Sequence, residues 1–354
     1  MSSPLDDPQT YRQYDPAGML ACLRQMPEQC RRAWQLAMAL ELPPDYTEID
    51  RVVILGMGGS AIGGELACGL VANECRWPVL THRDYDLPAL VDARTLVIAS
   101  SYSGMTEETL AAFTRALATE AKKLAITTGG RLASLAGAAG VPVCRFDYPA
   151  QPRAALPYSL LPILGVLQKT GGISDKSADV ADTVAVLRGL AARVDEGVPS
   201  ARNPAKHLAG NLHGKLPLIY GAGLTAAVTR RWKTQLNENS KTWAGHEAFP
   251  ELNHNAVAGY RFPAGLARQI YVVMLQTASL QPRLRRRYQV TRQLLEQAGV
   301  SHQTVAGEGD RPLSQMMSLV PLGDYVSCYL ALLYRTDPTP VPAIDYLKEQ
   351  MGKD

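Results

Sequence analysis

Hydroxyl side chains surround a single glycine in the segment SYSGMT, which runs from Ser101 to Thr106. The segment follows an apolar, β-branched run and precedes a stretch with helical spacing, so a strand is predicted to pass into a helix here. The hydroxyls of Ser101, Ser103 and Thr106, with the amides of the first helical turn, could hold one phosphate monoester. The alternative is a plain helix N-cap made by Thr106 and Thr109, because Ser and Thr are common at helix starts. Three hydroxyls around one glycine favour the phosphate site.

A second glycine-rich turn, GMGGSAIGG at residues 56–64, follows the apolar run 51–55. Its spacing fits the G-x-G-x-x-A fingerprint of dinucleotide-binding proteins, in which Asp84 or Asp86 could contact the ribose. The other alternative is a structural βα turn without a ligand. A dinucleotide-binding enzyme does not need the segment 101–106, called here the hydroxyl turn, after its third strand. The presence of this turn weakens the dinucleotide interpretation. Ligands of open α/β sheets bind at the carboxyl ends of strands. The residues of this turn that we expect in the phosphate site are Gly58, Gly59 and Ser60.

Short apolar strands alternate with helical segments in both halves of the chain. The predicted strands of the N-terminal half are 51–55, 78–81, 95–100, 123–127 and 143–146. The pattern then restarts, with predicted strands at 215–220, 269–275 and 300–305. This alternation is typical of βαβ units, so the fold class is α/β, with parallel sheets covered by helices on both faces.

Two similar α/β halves are therefore expected, with their boundary near residues 155–205. The predicted division is an N-terminal helical extension (1–45), a first half (46–160), a helical connection (161–205) and a second half (206–354). The last helix is predicted to begin with Thr339 as N-cap and Pro340 in the first helical position. A single fold with a long insertion is the alternative.

The composition excludes several classes of protein. The 354 residues carry a formal net charge of only +3 and 6% aromatic residues, which provides no extended basic or stacking surface for nucleic acid. No run of 18 apolar residues predicts a membrane-spanning helix, and the polar N-terminal segment does not resemble a signal peptide. The six cysteines are scattered, without zinc spacing, so we expect no metal site and reduced thiols in the cytoplasm.

Both turns resemble those of the sugar isomerase (SIS) domain, a five-stranded parallel sheet with flanking helices that binds phosphosugars. Three later motifs resemble one branch of that fold, the bifunctional phosphoglucose/phosphomannose isomerases of archaea and bacteria. These motifs are ENSK at 238–241, HEAFPELNHN at 246–255 and TPVPAIDYLK at 339–348. The resemblance implies two SIS-type subdomains, each with a five-stranded sheet. It also implies interconversion of glucose 6-phosphate, and of mannose 6-phosphate as well, with fructose 6-phosphate through a cis-enediol, without a cofactor.

The resemblance also assigns roles to individual residues. Glu238 is the expected base that carries a proton between the first and second carbons. His254 is expected to open the sugar ring and to reach the site of the partner subunit, which predicts a homodimer. Arg153 is expected to stabilise the enediolate, because an arginine stays charged and offers several donors. Lys348 is expected to hold sugar hydroxyls or the ring oxygen, and Thr339 to supply a hydroxyl near the isomerising carbons.

Each assignment has a structural alternative. Glu238 could be a solvated glutamate at a helix end, His254 a hydrogen-bonding loop residue, and Arg153 and Lys348 surface cations. Met105 replaces the asparagine that the family usually has in its S-Y-S-G-N-T turn. Two other functions stay open: a phosphosugar sensor without catalysis, and a nucleotide-dependent oxidoreductase. The first would bind a sugar phosphate without turnover, and the second would bind NADH or NADPH.

Overall fold

Two parallel β-sheets organise residues 3–352, the part of the chain that the computed structural model describes. The strands are β1 (Arg51–Leu55), β2 (Val79–His82), β3 (Thr95–Ser100), β4 (Lys122–Thr127), β5 (Val143–Arg145), β6 (Leu216–Ala222), β7 (Gly245–Phe249), β8 (Ile270–Gln276) and β9 (Ser301–Ala306). The α-helices are α1 (Pro8–Tyr14), α2 (Met19–Arg24), α3 (Met26–Ala39), α4 (Gly58–Val71), α5 (Glu107–Leu117), α6 (Gly130–Ala138), α7 (Pro157–Lys169), α8 (Ser177–Val194), α9 (Pro204–Leu212), α10 (Ala226–Glu238), α11 (Pro282–Gln297), α12 (Pro312–Leu333) and α13 (Pro342–Met351). The predicted α/β class and its parallel sheets are confirmed.

The first sheet has the strand order β2-β1-β3-β4-β5, and every pair of neighbours is parallel. Ile54 of β1 lies opposite Thr81 of β2 and Ile98 of β3. All six residues of β3 are buried, because helices cover both faces of the sheet and the strand is apolar almost throughout. The sheet belongs to a compact unit made of residues Gln25–Ala185 and Asp310–Ser314, called here the five-strand unit.

The second sheet has the strand order β7-β6-β8-β9, again all parallel. Its compact unit, the four-strand unit, contains the chain up to Arg24, residues Val186–Gly309 and the chain from Gln315 onward. The expectation of five strands in this half was wrong for the described residues, and β7 was not predicted. Beyond α12 the chain runs through Pro338, Pro340 and Pro342 into a helix, and such prolines cannot donate to a sheet.

Each unit has its own apolar core. Val53 and Val97 of the first sheet and Phe113 of α5 are buried in one cluster. In the four-strand unit Phe249 stacks on Tyr288 with 4.1 Å between the ring centroids. The compact units do not follow chain order, since the residues up to Arg24 belong with the C-terminal part of the chain.

Helix α12 is long and apolar enough to cross a membrane by length and composition. However, 89% of its apolar window is buried inside the fold. A core helix of a globular protein shows the same combination, so α12 is described here as a core helix.

The last helix begins later than predicted. Val341 occupies the N-cap position of α13 and Pro342 the first turn, so Thr339 is not the cap. Thr339 instead donates its amide to the Asp337 Oδ1 at 2.8 Å, in the loop before the helix. Three alternating prolines keep this loop extended, because each residue before a proline avoids the helical region.

Candidate functional site

The hydroxyl turn lies between β3 and α5, at the carboxyl end of a central strand. The Ser101 and Thr106 hydroxyls are 2.8 Å apart, and the Gly104 amide donates to Ser101 Oγ at 3.1 Å. The Met105 amide donates to Ser103 Oγ at 3.1 Å. Thr106 holds the N-cap position of α5 but makes no side-chain capping hydrogen bond. The plain N-cap alternative therefore does not describe this turn.

Glycine is required at position 104. Its φ is +64°, and a Cβ added there would stand 1.9 Å from the Gly129 carbonyl oxygen. The Gly104 carbonyl accepts from the Leu132 amide at 2.9 Å, which ties the turn to the start of α6. Backbone contacts with the start of α6 thus fix the conformation of the hydroxyl turn.

The two glycine turns are joined directly. The Tyr102 amide donates to Ser60 Oγ at 3.2 Å, across the ends of β1 and β3. Ser60 belongs to the first turn of α4, which contains no acidic side chain. The positive end of this helix and the hydroxyl turn therefore lie side by side.

Arg153 lies next to the same turns. A Cβ added at Gly59 would stand 3.4 Å from the Pro152 carbonyl oxygen and 3.6 Å from Arg153 Cα. Ser159 Oγ donates to the Gly59 carbonyl at 3.3 Å. Arg153 is only 4% exposed. The fold thus brings together the predicted Gly58–Ser60 turn, the hydroxyl turn and Arg153.

The hydroxyls of this cluster differ in exposure. Ser101 is buried, whereas Ser103 is exposed and Thr106 half-buried. Ser60 and Ser103 each accept from a backbone amide, which leaves the proton of each hydroxyl for donation. The first amides of α4 and α5 have no acceptor within their own helices. Hydroxyl and amide donors therefore converge here, although the first turn of α5 also carries Glu107 and Glu108.

Tyr102 is an anchor that the sequence analysis missed. Its hydroxyl donates to the Ala150 carbonyl at 2.8 Å and also to the Tyr148 carbonyl. Its ring meets Phe146 edge-on, and Phe146 stacks on Tyr158 with 4.7 Å between centroids. Burial raises the pKa of Tyr158. An aromatic residue inside a polar turn is the signal that could have indicated this anchor.

Glu238 is the last residue of α10 in the four-strand unit and is half-buried. The helix is fixed by a buried ion pair, with Arg231 Nη2 2.8 Å from Asp324 Oδ2 and both side chains 1% exposed. Trp232 Nε1 donates to the Leu319 carbonyl at 2.8 Å. Since both partners lie on α12, the position of Glu238 is set by packing between these two helices.

Lys241 connects the end of α10 to the loop that carries Thr339. Its ammonium nitrogen Nζ lies 3.0 Å from the Glu238 carbonyl oxygen and 2.7 Å from that of Asp337. It also lies 3.1 Å from the Asn239 carbonyl and 3.2 Å from that of Pro338. Glu238 and the segment immediately before Thr339 are thereby attached to one side chain.

His254 and Lys348 lie on exposed segments of the same unit. His254 ends a 3-10 helix, Glu251–His254, that follows β7, and its side chain is exposed. The neighbouring Asn253 holds this segment through a 2.9 Å hydrogen bond from its Nδ2 to Thr291 Oγ1 of α11. Lys348 lies on α13, in which no residue is buried. Among residues 3–352, no group of three His, Cys, Asp or Glu side chains is placed to hold a metal ion.

The two parallel sheets and the glycine turns at their strand ends define an SIS-type α/β protein. Solved structures share the fold: a glucose-6-phosphate isomerase like protein from Thermus thermophilus has a TM-score of 0.62 at 20% identity and 98% coverage of both chains. The C-terminal domain of glucosamine-fructose-6-phosphate aminotransferase from Francisella tularensis has a TM-score of 0.69 at 15% identity, covering 91% of this chain and 98% of that one.

Sequence comparisons narrow the class. Residues 201–351 match the family described as bacterial phospho-glucose isomerase C-terminal SIS domain. A bifunctional phosphoglucose/phosphomannose isomerase from Caldicellulosiruptor bescii is 43% identical over 336 residues, 95% of this chain and 99% of the relative. One from Aquifex aeolicus is 34% identical, over 88% of this chain and 94% of the relative. The chain belongs to the bifunctional phosphoglucose/phosphomannose isomerase family.

Proposed function

We propose that this protein interconverts glucose 6-phosphate and mannose 6-phosphate with fructose 6-phosphate. The observation that carries the proposal is the joined pair of turns, in which Ser60 accepts from the Tyr102 amide beside the buried Arg153. This cluster provides hydroxyl, amide and guanidinium donors for one phosphosugar. The matched relatives, named for both activities, support the same substrates.

In the proposed reaction, the turns bind the phosphate, and His254 opens the ring by giving a proton to the ring oxygen while the first hydroxyl loses one. Glu238 removes the proton from the second carbon while the carbonyl oxygen on the first carbon takes up a proton, which gives a cis-enediol. Glu238 then returns its proton to the first carbon while the hydroxyl on the second carbon gives up its proton, so the ketone forms with no net gain or loss of protons. Arg153 stabilises the negative oxygen of the intermediate.

The enediol explains how one site could serve two aldoses. Glucose and mannose phosphates differ only at the second carbon, which is planar in the intermediate. Both aldoses therefore give the same enediol, provided that the sugar can rotate about the bond between its second and third carbons. Thr339 and Lys348 are proposed to hold sugar oxygens during these steps.

The proposal includes a homodimer in which His254 acts in the partner's site. The exposed position of His254 supports it. Large apolar side chains that a partner could cover are exposed on the same unit: Trp243 at 84%, Phe262 at 70%, Tyr346 at 65% and Leu347 at 59%. We further place the enzyme in the cytoplasm, in glycolysis or gluconeogenesis.

Purified protein tests the activity, with each aldose phosphate supplied separately and EDTA present. Fructose 6-phosphate should form from both, and a Glu238→Gln variant should lose most of the rate. No product above that variant's level would refute the proposal. Binding of glucose 6-phosphate in calorimetry without turnover would identify the sensor alternative instead.

Mixed dimers test the shared site. Glu238→Gln and His254→Ala variants, each inactive alone, are unfolded together and refolded. If His254 acts across the interface, a mixed dimer contains one intact site and activity returns to about a quarter of the wild-type level. If both residues act within one chain, no mixed dimer has an intact site, and the absence of recovery rules out the shared site.

A further inference from the structure

Resting on the proposed function, we infer that Lys241 is a positioning residue that holds Glu238 against the Thr339 loop. Its Nζ contacts two carbonyls at the end of α10, those of Glu238 and Asn239, and two in the loop, those of Asp337 and Pro338. These contacts join segments that are 96 residues apart in sequence.

The Lys241 ammonium group has at least as many carbonyl acceptors around it as it has protons to donate. An ammonium has three protons, and four carbonyl oxygens surround it at 2.7–3.2 Å. Lys241 therefore acts through the segments it joins. Its charge also favours the end of α10, where the carbonyl groups make the negative pole of the helix.

The backbone of Lys241 supports a role for the side chain. Its φ is +54°, in the left-handed region that favours glycine, and it lies just beyond the end of α10. A non-glycine residue in this region is strained unless its surroundings compensate. Glycine would adopt this backbone conformation without strain. We infer that the four carbonyl contacts of the lysine side chain compensate for the strain.

By holding Glu238, Lys241 would fix the distance between the Glu238 carboxylate and the reacting carbons of the sugar. Glu238 must lie within hydrogen-bonding reach of a carbon-bound proton, and displacement of a catalytic group by about 1 Å can lower a rate by about a hundred-fold. The phosphate-binding turns lie in the other unit, and none of their described contacts involves Lys241. Loss of the Lys241 side chain should therefore lower kcat and leave KM nearly unchanged.

The test uses three variants of the full-length protein. Lys241→Met removes the donors, Lys241→Gly removes them and relieves the backbone, and Lys241→Arg keeps a charged donor. Lys215→Met is the matched control, because Lys215 Nζ donates to one carbonyl, that of Arg268, at 2.6 Å in the same unit.

The Met and Gly variants should lose about ten-fold or more in kcat for both aldoses, with KM within about three-fold. The Arg variant should recover part of the rate, and Lys215→Met should stay within about two-fold of wild type. A kcat within two-fold of wild type in Lys241→Met, or an equal loss in Lys215→Met, would overturn the inference.

Hydrogen exchange separates this inference from the proposed function. In Lys241→Met and Lys241→Gly, amides in 236–242 and 337–341 should exchange faster together, while exchange in the turns at 56–64 and 101–106 stays unchanged. Unchanged exchange in the first two segments overturns the inference whatever the activity. An inactive wild type with coupled exchange would instead reject the isomerase proposal and leave the physical coupling established.

Discussion

The two glycine turns of the five-strand unit, proposed to bind phosphate, and the end of α10 in the four-strand unit hold their polar groups in different ways. In the segment 101–106, the hydroxyl oxygens of Ser101, Ser103 and Thr106 make their hydrogen bonds to groups two to five residues away. Glu238 depends on partners far along the chain: Asp324, through Arg231, and Asp337, through Lys241. The hydroxyls proposed to bind phosphate are thus several and held by nearby residues, whereas the proposed base is a single residue held by long-range packing.

The strongest test of this contrast is Glu238→Gln. Because no neighbouring group can replace a single base, kcat should fall by about 10²–10⁴ for both aldoses, with KM little changed. Steady-state kinetics against Glu247→Gln, an exposed glutamate of β7, measures it. A loss below ten-fold, or an equal loss in the control, would mean that another residue carries the proton.

The second test removes the buried ion pair between α10 and α12. Asp324→Asn leaves Arg231 buried beside a neutral group, and loss of one member of a buried ion pair costs about 3–5 kcal/mol. Urea unfolding should show this loss, while Asp345→Asn on the exposed α13 should stay within about 0.5 kcal/mol of wild type.

A double variant, Arg231→Met with Asp324→Leu, distinguishes charge from packing. Removing both charges should recover much of the lost stability, because no uncompensated ion is left in the core. If the double variant is as unstable as Asp324→Asn, the packing of these side chains matters more than their charges.

The features that could be predicted from the sequence are those determined by neighbouring residues in the chain. Eight of the strands were predicted as apolar runs, and the two turns as glycine and hydroxyl motifs. Strand β7, GHEAF, escaped because it is short and only one of its residues is buried, as expected of a sheet edge. The Arg231–Asp324 pair and the contacts of Lys241 with Asp337 and Pro338 escaped because these partners are more than 90 residues apart. The start of α13 was misplaced because three alternating prolines allow more than one first turn.

A third prediction concerns redundancy in the phosphate site. Ser60→Ala removes one proposed phosphate donor and the acceptor of the Tyr102 amide. Since a hydrogen bond to a charged group contributes about 1.5–3 kcal/mol, KM should rise about ten-fold or more while kcat changes little. Ser134→Ala on the exposed face of α6 is the control. A fall in kcat with unchanged KM would show that this turn acts on the reacting carbons.

The smallest effect is expected at Met105. Its side chain is 59% exposed, its Sδ lies 3.3 Å from the Arg131 amide nitrogen, and its own amide bonds Ser103 whatever the side chain is. Met105→Asn should therefore change KM for glucose 6-phosphate by less than about three-fold, as for an exposed substitution. A KM ten-fold lower would show that asparagine adds a phosphate contact that methionine lacks. The side chain at position 105 would then take part in binding, and the backbone amides and hydroxyls of the turn alone would not determine its affinity.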